Sequence, residues 1–301
     1  MRKPLFSLLA LVSVVLGCGS GEGPRLSDEE IRIEACQRID STFVCADSIG
    51  ERELQERLSA KAWLLVEDSS GAVISSKNAH QRMFPASLTK MLTGLLALER
   101  GNMGDSIVIT DDVFLSKDSR VRLGDGYLLG NMIREMLMQS DNDAANAIAK
   151  HIGGDIPAFC QLMNERAARI GMDSTHFANP NGVHCDSTYS TARDLLVLAR
   201  YCMRDSAFAG IAGTAFVDLP LLDGRHLPCQ NTNQLLESYD GCFGVKTGYT
   251  RQAGDCLASA ATRRGVTLYL VLLGSRSHSS RFAESAALLD FGFREIEAAS
   301  R

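Results

Sequence analysis

Ser87 and Lys90 stand three residues apart in Pro85-Ala86-Ser87-Leu88-Thr89-Lys90, at the head of the apolar run Met91 to Leu98. On a helix that spacing puts both side chains on one face, within reach of each other. Pro85 suits the entry to such a helix. A serine hydroxyl attacks a carbonyl effectively only when a neighbouring base takes its proton, and a lysine can do so if its own pKa is depressed. Lys90 is one of seven lysines in 301 residues and the only one with a serine three positions before it. Taken alone, the pair reads more readily as a capping serine followed by a solvated lysine. Other stretches have to decide.

Two of them do. Ser140-Asp141-Asn142 and Lys246-Thr247-Gly248 follow in that order. Each is weak by itself, since such residues usually mean caps and turns. Together with Ser87-x-x-Lys90 they complete the trio found in class A β-lactamases and penicillin-binding proteins. Over about residues 59–293 the chain resembles the serine-type D-alanyl-D-alanine carboxypeptidases, the low-molecular-mass penicillin-binding proteins of bacterial cell-wall metabolism. Further stretches similar to that family are Asp143-Ala144-Ala145, Asn179-Pro180-Asn181-Gly182, Tyr189-Ser190-Thr191-Ala192, Asn231-Thr232-Asn233, Tyr249-Thr250 and Ala253-Gly254-x-Cys256-Leu257.

The resemblance implies an α/β (α+β) fold of the β-lactamase/DD-peptidase type: an antiparallel sheet flanked by helices, plus an all-helical subdomain. It also implies removal of the terminal D-alanine from peptidoglycan stem peptides, and covalent inhibition by β-lactams. Ser87 would form the acyl-enzyme, with Lys90 as general base once burial and the nearby Lys246 depress its pKa. Ser140 would relay a proton, and Asn142 would hydrogen-bond the lysine and the substrate. Lys246 and Thr247 would hold the substrate's free carboxylate, and Gly248 would let the bound peptide lie along an edge strand. The backbone N–H groups of Ser87 and Tyr249 would form the oxyanion hole. No metal and no cofactor is expected.

A class A β-lactamase needs a loop glutamate to activate the deacylating water, and Thr175 to Gly182 contains no acid. A D,D-endopeptidase cutting peptidoglycan cross-links would use the same machinery and stays open. A Ser-His-Asp hydrolase is disfavoured because no Gly-x-Ser-x-Gly occurs. A scaffold with decayed catalysis is disfavoured because every motif residue is intact.

The net charge of −5 gives no reason to expect a nucleic-acid partner. At the amino terminus Arg2 and Lys3 precede the apolar run Leu5 to Leu16, the layout of a secretory signal over residues 1–17. Val15-Leu16-Gly17-Cys18 resembles a lipobox, which implies lipidation of Cys18, export, and attachment to a bacterial membrane on its periplasmic or extracytoplasmic face. Residues 18–58 are then a tether and N-terminal extension, and 294–301 a C-terminal tail. Eight cysteines remain after Cys18. In an exported chain Cys36 with Cys45 and Cys229 with Cys242 are the close-spaced disulfide candidates, whereas Cys202 and Cys256 fall in apolar segments that suit buried thiols.

These residues need elements to hold them. The apolar runs Ala62–Val66 and Ala72–Ile74 around Asp68-Ser69-Ser70-Gly71 predict two strands joined by a tight turn. Helical periodicity predicts helices after Ser87, over Leu128–Leu137, in a run led into by Gln139–Asn146, over 157–170 and 191–203, and over 281–291. A short strand is expected at Ile107–Ile109, and Ser27-Asp28-Glu29-Glu30 reads as a helix start. Strands are expected at Phe243–Tyr249, Asp255–Ala261 and Leu268–Leu273, the last continuous enough for a sheet centre.

Overall fold

The computed structural model describes residues 27–43, 48–115 and 119–299. The expected signal segment, Cys18 and Cys45 lie outside the described residues.

Helix α1 (Asp28–Gln37) begins in a reciprocal capping box between Ser27 and Glu30. Strand β1 (Asp40–Phe43), helix α2 (Ser48–Arg57) and the hairpin β2 (Ala62–Glu67) and β3 (Ala72–Lys77) follow. A 3₁₀ turn, Ala86–Thr89, carries the candidate serine, and α3 (Lys90–Arg100) continues from it. A small hairpin, β4 (Ser106–Val108) with β5 (Gly126–Leu128), opens the helical region. Helix α4 (Leu129–Arg134) passes into a π-helical turn, Glu135–Gln139, and α5 (Asn142–Gly153), α6 (Ile156–Arg169), α7 (Ala192–Met203) and α8 (Ser206–Ala212) complete that region. A second hairpin, β6 (Phe216–Pro220) and β7 (His226–Gln230), and a single turn, α9 (Leu235–Ser238), lead back to the sheet. Strands β8 (Cys242–Thr250), β9 (Gly254–Arg263) and β10 (Val266–Ser275) precede the closing helix α10 (His278–Ala299).

The main sheet has the order β1-β3-β2-β10-β9-β8. Its five-stranded body is antiparallel, and β1 adds to β3 in parallel at one edge. Strand β8 forms the opposite edge. The expected fold class therefore stands, with an antiparallel sheet between helices.

Both faces of the sheet are covered, which explains the continuous apolar run of β10. Tyr269, Val271 and Leu273 point with Ala62, Leu64 and Val66 into the core beneath the helical region. Leu268, Leu270 and Leu272 point with Trp63 and Leu65 into a second core closed by Phe282, Leu288, Leu289 and Phe291 of α10. Helix α3 is buried on every side from Lys90 to Ala97. An all-round apolar helix suits the centre of a helical layer.

The structure adds what periodicity understated. The segment expected as an N-terminal extension is docked on the domain. Arg166 and Arg169 of α6 bond to Glu29 at 2.6 and 2.8 Å, and the Arg32 guanidinium lies over the Tyr201 ring. Arg200 of α7, 1% exposed, donates to the Cys36, Arg38 and Asp68 carbonyls and to the Asp68 carboxylate. The β6–β7 hairpin carries no clear strand signal, because Pro228 lies within β7 and Pro220 ends β6. The disulfide candidate Cys229–Cys242 is not formed. Cys229 belongs to the core under the helices, and Cys242 packs against the core on the sheet's other face. Cys36, Cys202 and Cys256 are buried free thiols.

Replacing Arg200 with Met should strand the Cys36, Arg38 and Asp68 carbonyls and leave the Asp68 carboxylate only its longer bond to Arg204. The expected loss is about 3–5 kcal/mol of stability, read as a lowered midpoint in urea or thermal unfolding.

Candidate active site

The serine turn is shaped by its neighbours. Ala86 sits at φ +49°, a left-handed conformation that is uncommon for a residue with a Cβ. The loop around Gly182 reaches it from one side: a Cβ on Gly182, itself at φ +78°, would stand 2.0 Å from the Ala86 carbonyl oxygen. Strand β8 approaches from the other. A Cβ on Gly248 would meet the Ser87 nitrogen at 3.1 Å and the Ala86 Cβ at 3.2 Å. Glycine at 248 thus lets the edge strand lie directly against the backbone N–H of Ser87.

Lys90 begins α3 one turn after Ser87 and is 0% exposed. Its Nζ donates to Ser87 Oγ at 3.1 Å, to Asn142 Oδ1 at 2.8 Å and to the Asn181 carbonyl. Burial disfavours its charged form and brings its pKa down to about 7, against a smaller upward pull from the Asp141 carboxylate. The two motifs expected to meet here, Ser87-x-x-Lys90 and Ser140-Asp141-Asn142, therefore do so through the lysine.

The second motif works through its local geometry. Ser140 ends the π-helical turn at φ +65°, and Asp141 then caps α5 by accepting from the Asp143 and Ala144 nitrogens. Asn142 is left as the first helical residue, with its amide aimed at Lys90. Among the described residues the Ser140 hydroxyl makes no hydrogen bond, and its expected link to Lys90 or Lys246 is not present in this state.

Lys246, on β8, is 1% exposed and donates to the Thr247 carbonyl at 3.0 Å. Its pKa is driven well below the ordinary lysine value, first by burial and then by the cations Lys90 and Arg281. Thr247 Oγ1 lies 2.6 Å from Thr232 Oγ1, which also donates to the Met138 carbonyl. Asn231-Thr232-Asn233 thus ties β8 to the π-helical turn. Tyr249, two residues further along the strand, is 52% exposed.

Three contributors were not singled out from the sequence. The Asn181 carbonyl is held at Lys90 because Asn181 Nδ2 donates to Asn146 Oδ1 and Thr93 Oγ1 donates to the Pro180 carbonyl. No side-chain pattern reports a backbone acceptor. Thr232 lay in a stretch noted only for its family likeness. Arg281, at the start of α10, donates through Nη1 to the Gly248 carbonyl at 3.2 Å and is 6% exposed. A single arginine 35 residues beyond Lys246 carries no local sequence signal.

The family model described as D-alanyl-D-alanine carboxypeptidase matches residues 50–277. The D-alanyl-D-alanine carboxypeptidase DacF of Bacillus subtilis is 31% identical over 255 residues, covering 82% of this chain and 66% of the relative. DacB2 of Mycobacterium tuberculosis is 32% identical, covering 78% of this chain and 82% of the relative. The crystal structure of the Streptomyces K15 DD-transpeptidase superposes with a TM-score of 0.74 at 28% identity, covering 79% of this chain and 98% of that one. The chain spans about two thirds of the length of the Bacillus relative and 62% of DacC of Escherichia coli. With a family model over most of its length and relatives at 31 and 32% identity, the chain belongs to the D-alanyl-D-alanine carboxypeptidase family of serine peptidases.

Proposed function

We propose that the protein is a serine DD-carboxypeptidase that removes the terminal D-alanine from peptidoglycan stem pentapeptides. The observation that carries this reading is the buried Lys90, hydrogen-bonded to Ser87 Oγ and neutral over a large part of the population near pH 7. Ser87 Oγ attacks the carbonyl of the penultimate D-alanine while its proton passes to Lys90 Nζ. The resulting oxyanion lies between the Ser87 and Tyr249 N–H groups, each such donor contributing about 3 kcal/mol. Collapse expels the terminal D-alanine as its amine takes a proton from Lys90, directly or through the Ser140 hydroxyl. Water then hydrolyses the Ser87 ester. The unpartnered Ser140 hydroxyl is available for that relay once substrate fills the site.

Lys246, Thr247 and Arg281 supply a free carboxylate with two cations and a hydroxyl next to the edge strand. An incoming carboxylate restores the charged form of Lys246, because an anion nearby favours the ammonium. Those cations favour a chain end over an internal cross-link, and so carboxypeptidase over D,D-endopeptidase action. An N-terminal export signal and a lipid at Cys18 complete the proposal, with the enzyme on the periplasmic or extracytoplasmic face of a bacterial membrane. Intact mass of the mature protein should show the chain starting at an acylated Cys18; an unmodified Cys18 would exclude the anchor.

Offered pentapeptide and cross-linked muropeptides side by side, the protein should release D-alanine mainly from the pentapeptide. Ser87→Ala should abolish that release together with covalent penicillin labelling, and label surviving the substitution would identify another nucleophile. In the unsubstituted protein the penicilloyl adduct should persist, because the loop Thr175–Gly182 brings no carboxylate to activate water.

Activity requires neutral Lys90, so kcat/KM should rise with pH through about 7 and then level off. Asp141→Asn keeps the helix cap but removes the anion that favours protonated Lys90. Its acid limb should move to lower pH; a limb unmoved, or moved upward, would show that another group controls the profile.

A further inference from the structure

One buried carboxylate next to the edge strand is shared between an exposed imidazole and a buried guanidinium. Asp255 opens β9 directly opposite Tyr249 in the β8–β9 ladder and is 2% exposed. Its Oδ1 lies 3.1 Å from Arg281 Nη1 and 2.9 Å from His278 Nδ1, in charge contact with both but without hydrogen-bond geometry to either. Arg281 in turn donates to the Gly248 carbonyl, while its Nε has no hydrogen-bond partner. The His278 imidazole, 66% exposed, packs against the Tyr249 ring with centroids 5.1 Å apart. The chain His278–Asp255–Arg281 thus runs from solvent to the carbonyl of the residue on which the substrate terminus is expected to rest.

The electrostatic consequence follows from how the charges are arranged. When His278 is neutral, the Asp255 charge is directed at Arg281 alone and cancels much of the field that the guanidinium presents to a ligand. When His278 is protonated, it shares the same oxygen and neutralises Asp255 from the solvent side. Arg281 then faces the strand with less of its charge offset. The ionisable groups in contact with the imidazole are Asp255 from β9 and Tyr249 from β8, with Arg281 one turn along its own helix. Lys246 lies beyond Arg281 and feels its charge.

We propose that Asp255 and His278 are positioning residues that set how tightly the site holds a free peptide carboxylate, through Arg281. The pair thereby gives the enzyme's preference for chain ends a dependence on pH. This rests on the carboxypeptidase reading above. Neither residue touches the scissile bond, so the effect falls on substrate binding and not on the chemical step.

The test compares KM and kcat for a peptide ending in D-Ala-D-Ala with the same measurements for its C-terminal amide, between about pH 5 and 8, the range over which imidazoles change charge. His278→Gln removes an exposed side chain and keeps a donor, and the variant should fold as the parent does. For the free carboxylate, KM of the parent should be about fivefold lower than that of His278→Gln at the acid end, as suits a partly exposed pair, with the two converging at pH 8. The Lys246 and Lys90 titrations are common to both proteins and cancel in the ratio. The amide should show no such difference, and kcat should be unchanged. His278→Lys should hold the low KM at every pH. A KM ratio that stays flat with pH, or a difference of equal size for the amide, overturns this inference while leaving the carboxypeptidase reading intact. Failure of the parent to release D-alanine from any substrate overturns both.

Discussion

Two lysine ammonium groups buried within reach of each other's charge are the constraint on which the rest of this structure depends. Lys90 and Lys246 are both essentially sealed from water. Burial forces such groups towards their neutral forms, and the charge of Lys90 pushes Lys246 further the same way. The unfolded chain holds more protons than the folded one between about pH 7, the folded value for Lys90, and the ordinary lysine value of 10.5. Stability is therefore lost as the pH falls through that window, and by pH 7 Lys90 costs the fold several kcal/mol. The same depression is what makes a lysine useful as a base.

That cost is offset locally. Met91, Leu92, Leu95 and Leu96 follow Lys90 on α3 and are fully or almost fully buried. Each contributes roughly 1.5–3 kcal/mol by leaving water, enough together to outweigh the lysine. The polar partners of Lys90 do a different task. Ser87 Oγ, Asn142 Oδ1 and the Asn181 carbonyl come from three separate segments, and each is held by its own local device: a strained 3₁₀ turn, an aspartate-capped helix, and a loop pinned to α5 through Asn146. Precision at the site is the sum of these supports.

The edge strand supplies the other half of the site. Strand β8 is hydrogen-bonded to β9 on one side only, so its outer edge is free to receive an extended peptide. Gly248 lets it approach the serine turn, and the cations Lys246 and Arg281 lie behind it. The carboxylate-binding end is thus built from one strand and the first turn of α10, whereas the proton-transfer end is built from α3, α5 and the 179–182 loop.

Sequence by itself determined the parts whose signal is local. Ser87-x-x-Lys90, Ser140-Asp141-Asn142 and Lys246-Thr247-Gly248 could be read because each sits within one turn or one strand, and the main strands and helices could be read because burial on one face or both leaves a period. It did not reveal the parts whose signal is distributed. Arg281, Asp255 and His278 acquire meaning only when β8, β9 and α10 meet; the Asn181 acceptor is a carbonyl and leaves no side-chain trace; and the docking of α1 through Arg200 joins carbonyls far apart in the chain. The close spacing of Cys229 and Cys242 suggested a bond that the fold rules out by placing them in cores on opposite faces of one sheet. Tertiary structure alone decided which polar groups share a buried volume, and that sharing sets the charge of Lys90.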